Sequence, residues 1–170
     1  ETSYDRWIQT LDGKAGGHLL KIARREDQRT GQKSWSFVER AYNFDSAGGL
    51  NYTVDVTKPF GERISISSLA DGSTLNNDET YKVAMTSYRA NGGGGLLADA
   101  GIDPKKIAER TSSILPEIRE LLFNYLKDKN IIDENAIGDR TLIGSWSFVP
   151  ERIAKPALEE DMKLLFPARR

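Results

Sequence analysis

Apolar residues open the chain at Tyr4, Trp7, Ile8 and Leu11. That spacing of three and four predicts a short helix over residues 3–11 with one buried side. Ser3 or Thr2 stands where a cap is needed, and Gly13, Gly16 and Gly17 stand where the helix should end. Residues 18–22 read as a strand, 24–32 as a polar loop, and Trp35, Phe37 and Val38 as a second extended piece. Residues 50–56 alternate apolar and polar side chains, the pattern of a half-buried strand. Pro59 and Gly61 mark a turn, Ile64 and Ile66 resume the alternation, and Asp71-Gly72 is a hairpin-type signal. Residues 81–86 have the pattern of a central strand and lead into the run Gly92 to Gly95.

Beyond that run the period changes. Ile114, Ile118, Leu121, Leu122, Tyr125 and Leu126 form the clearest helical stripe, with Pro116 tolerated in the first turn. Trp146, Phe148 and Val149 predict a closing strand, and residues 151–166 a last helix that Pro156 should kink or break. Strands first and helices mostly afterwards define an α+β fold, a mixed or antiparallel β-sheet with helices packed on it. No linker divides the sequence, so residues 1–170 read as one domain. The pentapeptide Ser34-Trp35-Ser36-Phe37-Val38 recurs as Ser145-Trp146-Ser147-Phe148-Val149. A duplicated unit would share more, so chance likeness of two strand-like pieces is the expectation.

Composition narrows the chemistry. The chain has 170 residues, 38% hydrophobic and 29% charged, which suits a globular domain with a real core. Twenty-four basic residues against 25 acidic ones give no bulk attraction to nucleic acid or membrane, although a local basic patch stays compatible with that total. The ending Ala168-Arg169-Arg170 reads as a solvated tail. No apolar run reaches the length of a membrane span, and the opening residues lack the pattern of a signal peptide. Cysteine is absent and histidine occurs once, at His18. Thiolate chemistry is therefore excluded, and an imidazole-rich metal centre within these residues is not expected. No Lys-Ser or Lys-Thr follows the glycine run, which removes a phosphate-binding P-loop, and no serine stands in a triad pattern. His18 reads as a structural residue, and Arg63 and Arg89 as members of ion pairs or as aids to binding.

The segment from Tyr42-Asn43-Phe44-Asp45-Ser46-Ala47-Gly48-Gly49 into residues 50–56 resembles a signature of the 5′-nucleotidase carboxy-terminal domain. Lys58-Pro59-Phe60-Gly61-Glu62-Arg63, Asp71-Gly72, Tyr81-Lys82-Val83-Ala84 and Tyr88-Arg89-Ala90-Asn91-Gly92-Gly93 come after it in the order of that family. Trp146 to Pro150 resembles a late element of some members. The likeness implies a domain that recognises a nucleoside or nucleotide, within an enzyme that hydrolyses nucleotide phosphate esters. It further implies that residues 1–7 correspond to the middle of the family domain, so its first part is expected to be missing. The divalent metal pair, the only cofactor implied, would belong to a metallophosphoesterase partner domain, leaving no catalytic or metal-binding residue here. A periplasmic or cell-surface location is implied by the family alone.

The resemblance also implies roles for particular residues. Phe44 would lie against one face of the base; by itself it equally fits a core ring beside a turn. Gly92 and Gly93 begin the loop that approaches the ligand. The family places a second aromatic where this chain has Leu96, so either the base would be held on one aromatic face or Tyr42, Trp35 or Trp146 would supply the other ring. A downstream carboxylate that holds the ribose would be Asp99 or Asp103. The loss of the second ring leaves an alternative open, a non-catalytic nucleoside-binding or interaction module.

Overall fold

The first buried residues come from two conformations rather than one helix. In the computed structural model, which describes residues 1–13, 17–110, 116–129 and 144–166, helix α1 spans Thr2–Trp7. It buries Tyr4 and Trp7, and the chain then becomes extended at Ile8, which bridges Leu20 in antiparallel fashion. Ile8 and Leu11 are buried from this extended stretch, with Leu11 N–H donating to Val56 O at 2.8 Å. The predicted helix over 3–11 is thus shorter, because sheet-like pairing to residues 19–21 and 56 takes over its second half. Neither Thr2 nor Ser3 caps it. Glu1 holds the cap position, and Ser3 Oγ instead accepts from Asp45 N–H at 2.7 Å. Gly16 lies outside the described residues.

The strand expected over 18–22 is displaced. Strand β1 is Ile22–Glu26 and pairs antiparallel with β2, Lys33–Phe37, so the supposed loop is largely a polar hairpin. Asp27 Oδ1 closes its turn by accepting from Arg29 N–H and Thr30 N–H. A turn of tight helix at Ala41–Asn43 leads to β3, Leu50–Asp55.

Strand β3 is the centre of a three-stranded sheet of order β4-β3-β5. Strand β4, Ile64–Leu69, runs antiparallel to it with a bulge at Asn51/Tyr52. Strand β5, Trp146–Val149, runs parallel, matching Tyr52 with Trp146 and Val54 with Phe148. Alternation along β3 turns Tyr52 and Val54 to the core, where Val56 joins Tyr4, Trp7, Ile8, Leu11 and Leu19. Full burial of a side chain such as Ile8 or Val54 is worth roughly 1.5–3 kcal/mol. Asp71-Gly72 makes its turn, with Gly72 at φ 88°, but that turn ends β4 and opens no second hairpin. Residues 81–86 form no strand: Tyr81, Val83 and Met85 are exposed, and alternation without a ladder partner does not make a sheet.

Next along the chain come α2 (Ser87–Ala90), α3 (Leu96–Asp99), α4 (Pro104–Arg110) and α5 (Ile118–Lys129). Helix α5 realises the predicted stripe from Ile118 onward; Pro116 precedes it and Ile114 lies outside the described residues. Ile118, Leu121, Leu122, Tyr125 and Leu126 are all exposed. Helix α6, Glu151–Leu165, passes through Pro156 without a break. Proline there removes one backbone donor, while Ile153, Ala154 and Ala157 remain buried against the core. The molecule divides into two compact units, Glu1–Val83 with Ser145–Arg170, and Ala84–Gly144. Helices, an antiparallel hairpin and a mixed sheet make the fold α+β.

Candidate functional site

Phe44 stands at the start of the turn that feeds β3. Its ring is half-buried and meets Tyr4 edge-on at 5.2 Å and Trp7 at 5.7 Å between centroids. Such edge contacts fix a ring's tilt, because the positive rim of one ring seeks the negative face of the other. The turn behind it is tied down twice. Asp45 N–H donates to Ser3 Oγ, and Ala47 N–H donates to Tyr52 OH at 3.1 Å. Tyr52 OH also lies 2.7 Å from Tyr4 OH, and burial together with that bond pushes the Tyr4 phenol pKa well above its ordinary value. The site is therefore a rigid aromatic cluster without a titratable nucleophile among these groups.

Trp146 completes the cluster rather than facing Phe44 across an open slot. Its ring stacks on Tyr52 at 6.1 Å and 13°, and it meets Phe44 itself at 6.3 Å with a tilt of 43°. A base held between two rings needs them parallel and about twice a stacking distance apart, which this tilted contact does not provide. Of the other two rings, Trp35 sits on β2 and Tyr42 is exposed with its OH accepting from Arg40 Nη1 at 3.2 Å.

Gly92, Gly93, Leu96, Asp99 and Asp103 belong to the second unit, where α2 prepares the glycine turn. Thr86 Oγ1 caps α2 by accepting from Arg89 N–H, and Gly93 N–H closes the turn on Tyr88 O at 2.8 Å. A Cβ on Gly93 would stand 2.5 Å from the Tyr88 ring, and one on Gly92, whose φ is 86°, would stand 2.9 Å from Pro104 Cγ. Both glycines are thus required by close approach inside their own unit. Arg89 Nη1 donates to Gly93 O at 3.0 Å, and its guanidinium carbon lies 5.4 Å from the Tyr88 centroid. Tyr88, given no role by the sequence, is the exposed ring of this turn. Its place just before an arginine and a glycine pair was the available signal.

Leu96 opens α3 and is buried at 8% exposure. Asp99 is exposed at the end of α3. Asp103 caps α4: its Oδ1 accepts from Lys105 N–H at 3.0 Å, and Pro104 fills the first helical position, where a missing donor costs nothing.

Three polar groups serve the scaffold. Asp161 on α6 is fully buried; its Oδ2 accepts from Leu19 N–H and Leu20 N–H, and its Oδ1 lies 2.8 Å from His18 Nδ1. His18 is accordingly structural. Arg63 is buried as well, with Nε in ionic contact with Asp5 Oδ1 at 3.2 Å and Nη2 donating to Thr10 Oγ1 at 2.9 Å. Phe60 covers it, its ring centroid 5.0 Å from the guanidinium carbon. Sequence reasoning missed Asp161 because its partners lie more than a hundred residues away along the chain. Among the described residues no three histidine or carboxylate side chains gather into a set able to hold a metal ion, so a two-metal centre does not fit them. No described helix is long and apolar enough to cross a membrane.

A family profile described as 5′-nucleotidase, C-terminal domain, matches residues 10–99, more than half of the chain, and the chain belongs to that family. The sequence is similar to the trifunctional nucleotide phosphoesterase protein YfkN of Bacillus subtilis (strain 168), 29% identical over 122 residues. That alignment covers 65% of this chain and 8% of the relative, so the chain spans under a tenth of the relative's length. No solved structure matches it significantly.

Proposed function

We propose that this chain recognises the nucleoside part of a substrate for a 5′-nucleotidase-type phosphoesterase, while a metallophosphoesterase domain, fused or separate, hydrolyses the phosphate ester. The observation that carries this reading is Phe44, a half-exposed ring held in fixed tilt within the matched segment, where the resemblance implies an aromatic against the base. Stacking on one aromatic face is worth roughly 1–3 kcal/mol per base and tolerates different bases. In the second unit, Gly92 and Gly93, with Asp99 or Asp103, are the residues to which the family resemblance would give ligand contact. The metal pair and its activated water would be the partner domain's contribution. A periplasmic or cell-surface setting accompanies this reading. Leu96 in place of a ring, and buried, favours a second reading in which the chain binds nucleosides without taking part in hydrolysis.

Calorimetry of adenosine and AMP against the chain and its Phe44→Leu variant tests the proposal. Leucine keeps apolar packing and removes the π-face, so binding should weaken by roughly 1–3 kcal/mol in a folded protein. Unchanged affinity in the variant would overturn the stacking role. Turnover of AMP or p-nitrophenyl phosphate with manganese, zinc, cobalt or magnesium should require an added metallophosphoesterase domain. Robust turnover by the 170-residue chain alone, abolished by a substitution within it, would overturn the division of labour.

A further inference from the structure

The hairpin β1–β2 carries a surface that the nucleoside site does not use. Its register places Ile22 opposite Phe37, Arg24 opposite Trp35 and Glu26 opposite Lys33. Residues directly opposite share a face, and alternate residues along a strand share it too. One face of the hairpin therefore displays Trp35 and Phe37 on one strand and Arg24 beside Trp35 on the other. Trp35 is 56% exposed, and Arg24, Arg25, Arg29 and Lys33 are all exposed.

The acidic groups of the hairpin are already engaged. Glu26 pairs with Lys33 at 3.5 Å, and the Asp27 carboxylate is held by the backbone N–H groups of Arg29 and Thr30, which keep its pKa below the usual range. Arg25 Nη2 donates to Val38 O at 3.0 Å but remains a cation. Arg24 and Arg29 form no ion pair among the described residues. The surface thus offers an uncovered tryptophan, a second ring two residues on, Arg24 opposite the tryptophan and Arg29 in the turn at the hairpin tip. The near-neutral charge of the whole chain conceals this local excess.

We infer that this hairpin face is a binding surface for a single-stranded oligonucleotide, with a base stacked on Trp35 and flanking phosphates met by Arg24 and Arg29. A flat exposed ring with an adjacent arginine suits this ligand better than an acidic peptide, because every base presents a π-face and every linkage a phosphate. The surface is separate in residues from the proposed Phe44 site. The two readings therefore fail independently, since Trp35→Ala should leave adenosine binding as it was.

The test is fluorescence anisotropy of a labelled deoxythymidine octamer titrated with the chain at low and at near-physiological salt. Binding should appear at low salt and weaken with salt as counterions return to the phosphates. Trp35→Ala should weaken it on the order of tenfold, with Trp35→Phe recovering most of the loss. Arg24→Gln should weaken it and flatten the salt dependence. No binding at low salt would overturn the inference, as would equal binding by folded Trp35→Ala. Competition by polyglutamate as effective as that by unlabelled octamer would also overturn it, reducing the surface to a general anion patch.

Discussion

The two copies of Ser-Trp-Ser-Phe-Val share every side chain and almost nothing of their surroundings. In β2 the pentapeptide pairs antiparallel with the polar strand β1, setting Arg24 against Trp35 and Arg25 against Ser34. In β5 it pairs parallel with the sheet's central strand, setting Tyr52 against Trp146 and Val54 against Phe148. Trp35 is left more than half exposed, whereas Trp146 meets Tyr4, Tyr52, Phe44 and Phe148 within 6.3 Å. The segments downstream of the two copies differ as well. Pro150 accepts the first backbone bonds of α6, from Ile153 and Ala154, and so commits the second copy to a helix that covers the core. Local pattern makes both segments extended; the partner strand decides which face is buried, and therefore which copy stabilises the fold and which remains available to a ligand.

The strongest way to break this comparison is Trp146→Ala. Its ring stacks on Tyr52, and removal leaves Tyr4, Phe44 and Phe148 facing a void. The expected cost is about 3 kcal/mol, at the lower end for a large aromatic because the site is only partly buried. Urea denaturation measures it directly. A loss as small as that of an exposed residue would mean that the aromatic cluster contributes little to stability.

A smaller effect sharpens the role of the helix behind the second copy. Asp161 accepts from Leu19 N–H and Leu20 N–H and is hydrogen-bonded to His18 Nδ1, tying α6 to the segment that leads into the first copy. Asp161→Asn should cost about 1–2 kcal/mol, since its amide offers one acceptor oxygen and an NH2 where two carboxyl oxygens meet Leu19 N–H, Leu20 N–H and His18 Nδ1. Burial is the larger influence on this carboxyl and pushes its pKa above the ordinary aspartate value, against the bonds from Leu20 and His18 that pull it down. Between those two values the native chain holds a proton that the unfolded chain has released. Stability attributable to Asp161 is therefore full below the unfolded value and falls as pH rises through the folded one. Unfolding of the wild type and the variant from pH 3.5 to 7 should show their stability difference shrinking with pH across that window, then levelling. A difference that grows with pH would reverse the assignment of burial as the dominant cause.

Elements with one wet and one dry face were legible in the sequence. Strand β3 alternates because Tyr52 and Val54 meet the core while Asn51 and Thr53 do not, and β4 and β5 pair onto it. The hairpin strand β1 was displaced because Arg24, Arg25 and Glu26 are exposed, leaving no alternation to detect. Residues 81–86 alternate without a partner, and no local pattern reveals a missing ladder. Helix α1 was overextended because spacings of three and four are met by a helix followed by an extended turn. The contacts of Phe44 with Tyr4, Trp7 and Trp146 join three distant stretches of chain, and no local pattern shows them. Arg63 and Asp161 were illegible as buried charges for the same reason.

The smallest expected effect is the most exacting for the comparison, because it asks that the same substitution in the same pentapeptide do almost nothing. Trp35→Ala removes a ring that is 56% exposed and lies opposite a solvated arginine. The hairpin keeps its backbone ladder, the Ile22–Phe37 pair at its base and the Asp27 turn at its tip. Exposed substitutions away from caps, cavities and buried networks usually fall within about 0.5 kcal/mol. Trp35→Ala should stay near that limit, and Trp35→Thr, which introduces a β-branched side chain suited to a strand, should cost less. Both variants are measured by the same urea denaturation as Trp146→Ala. If Trp35→Ala costs as much as its counterpart, the hairpin is part of the core in solution and its tryptophan is not free to receive a base. If it costs little, the variant is folded and the oligonucleotide titration reads binding alone.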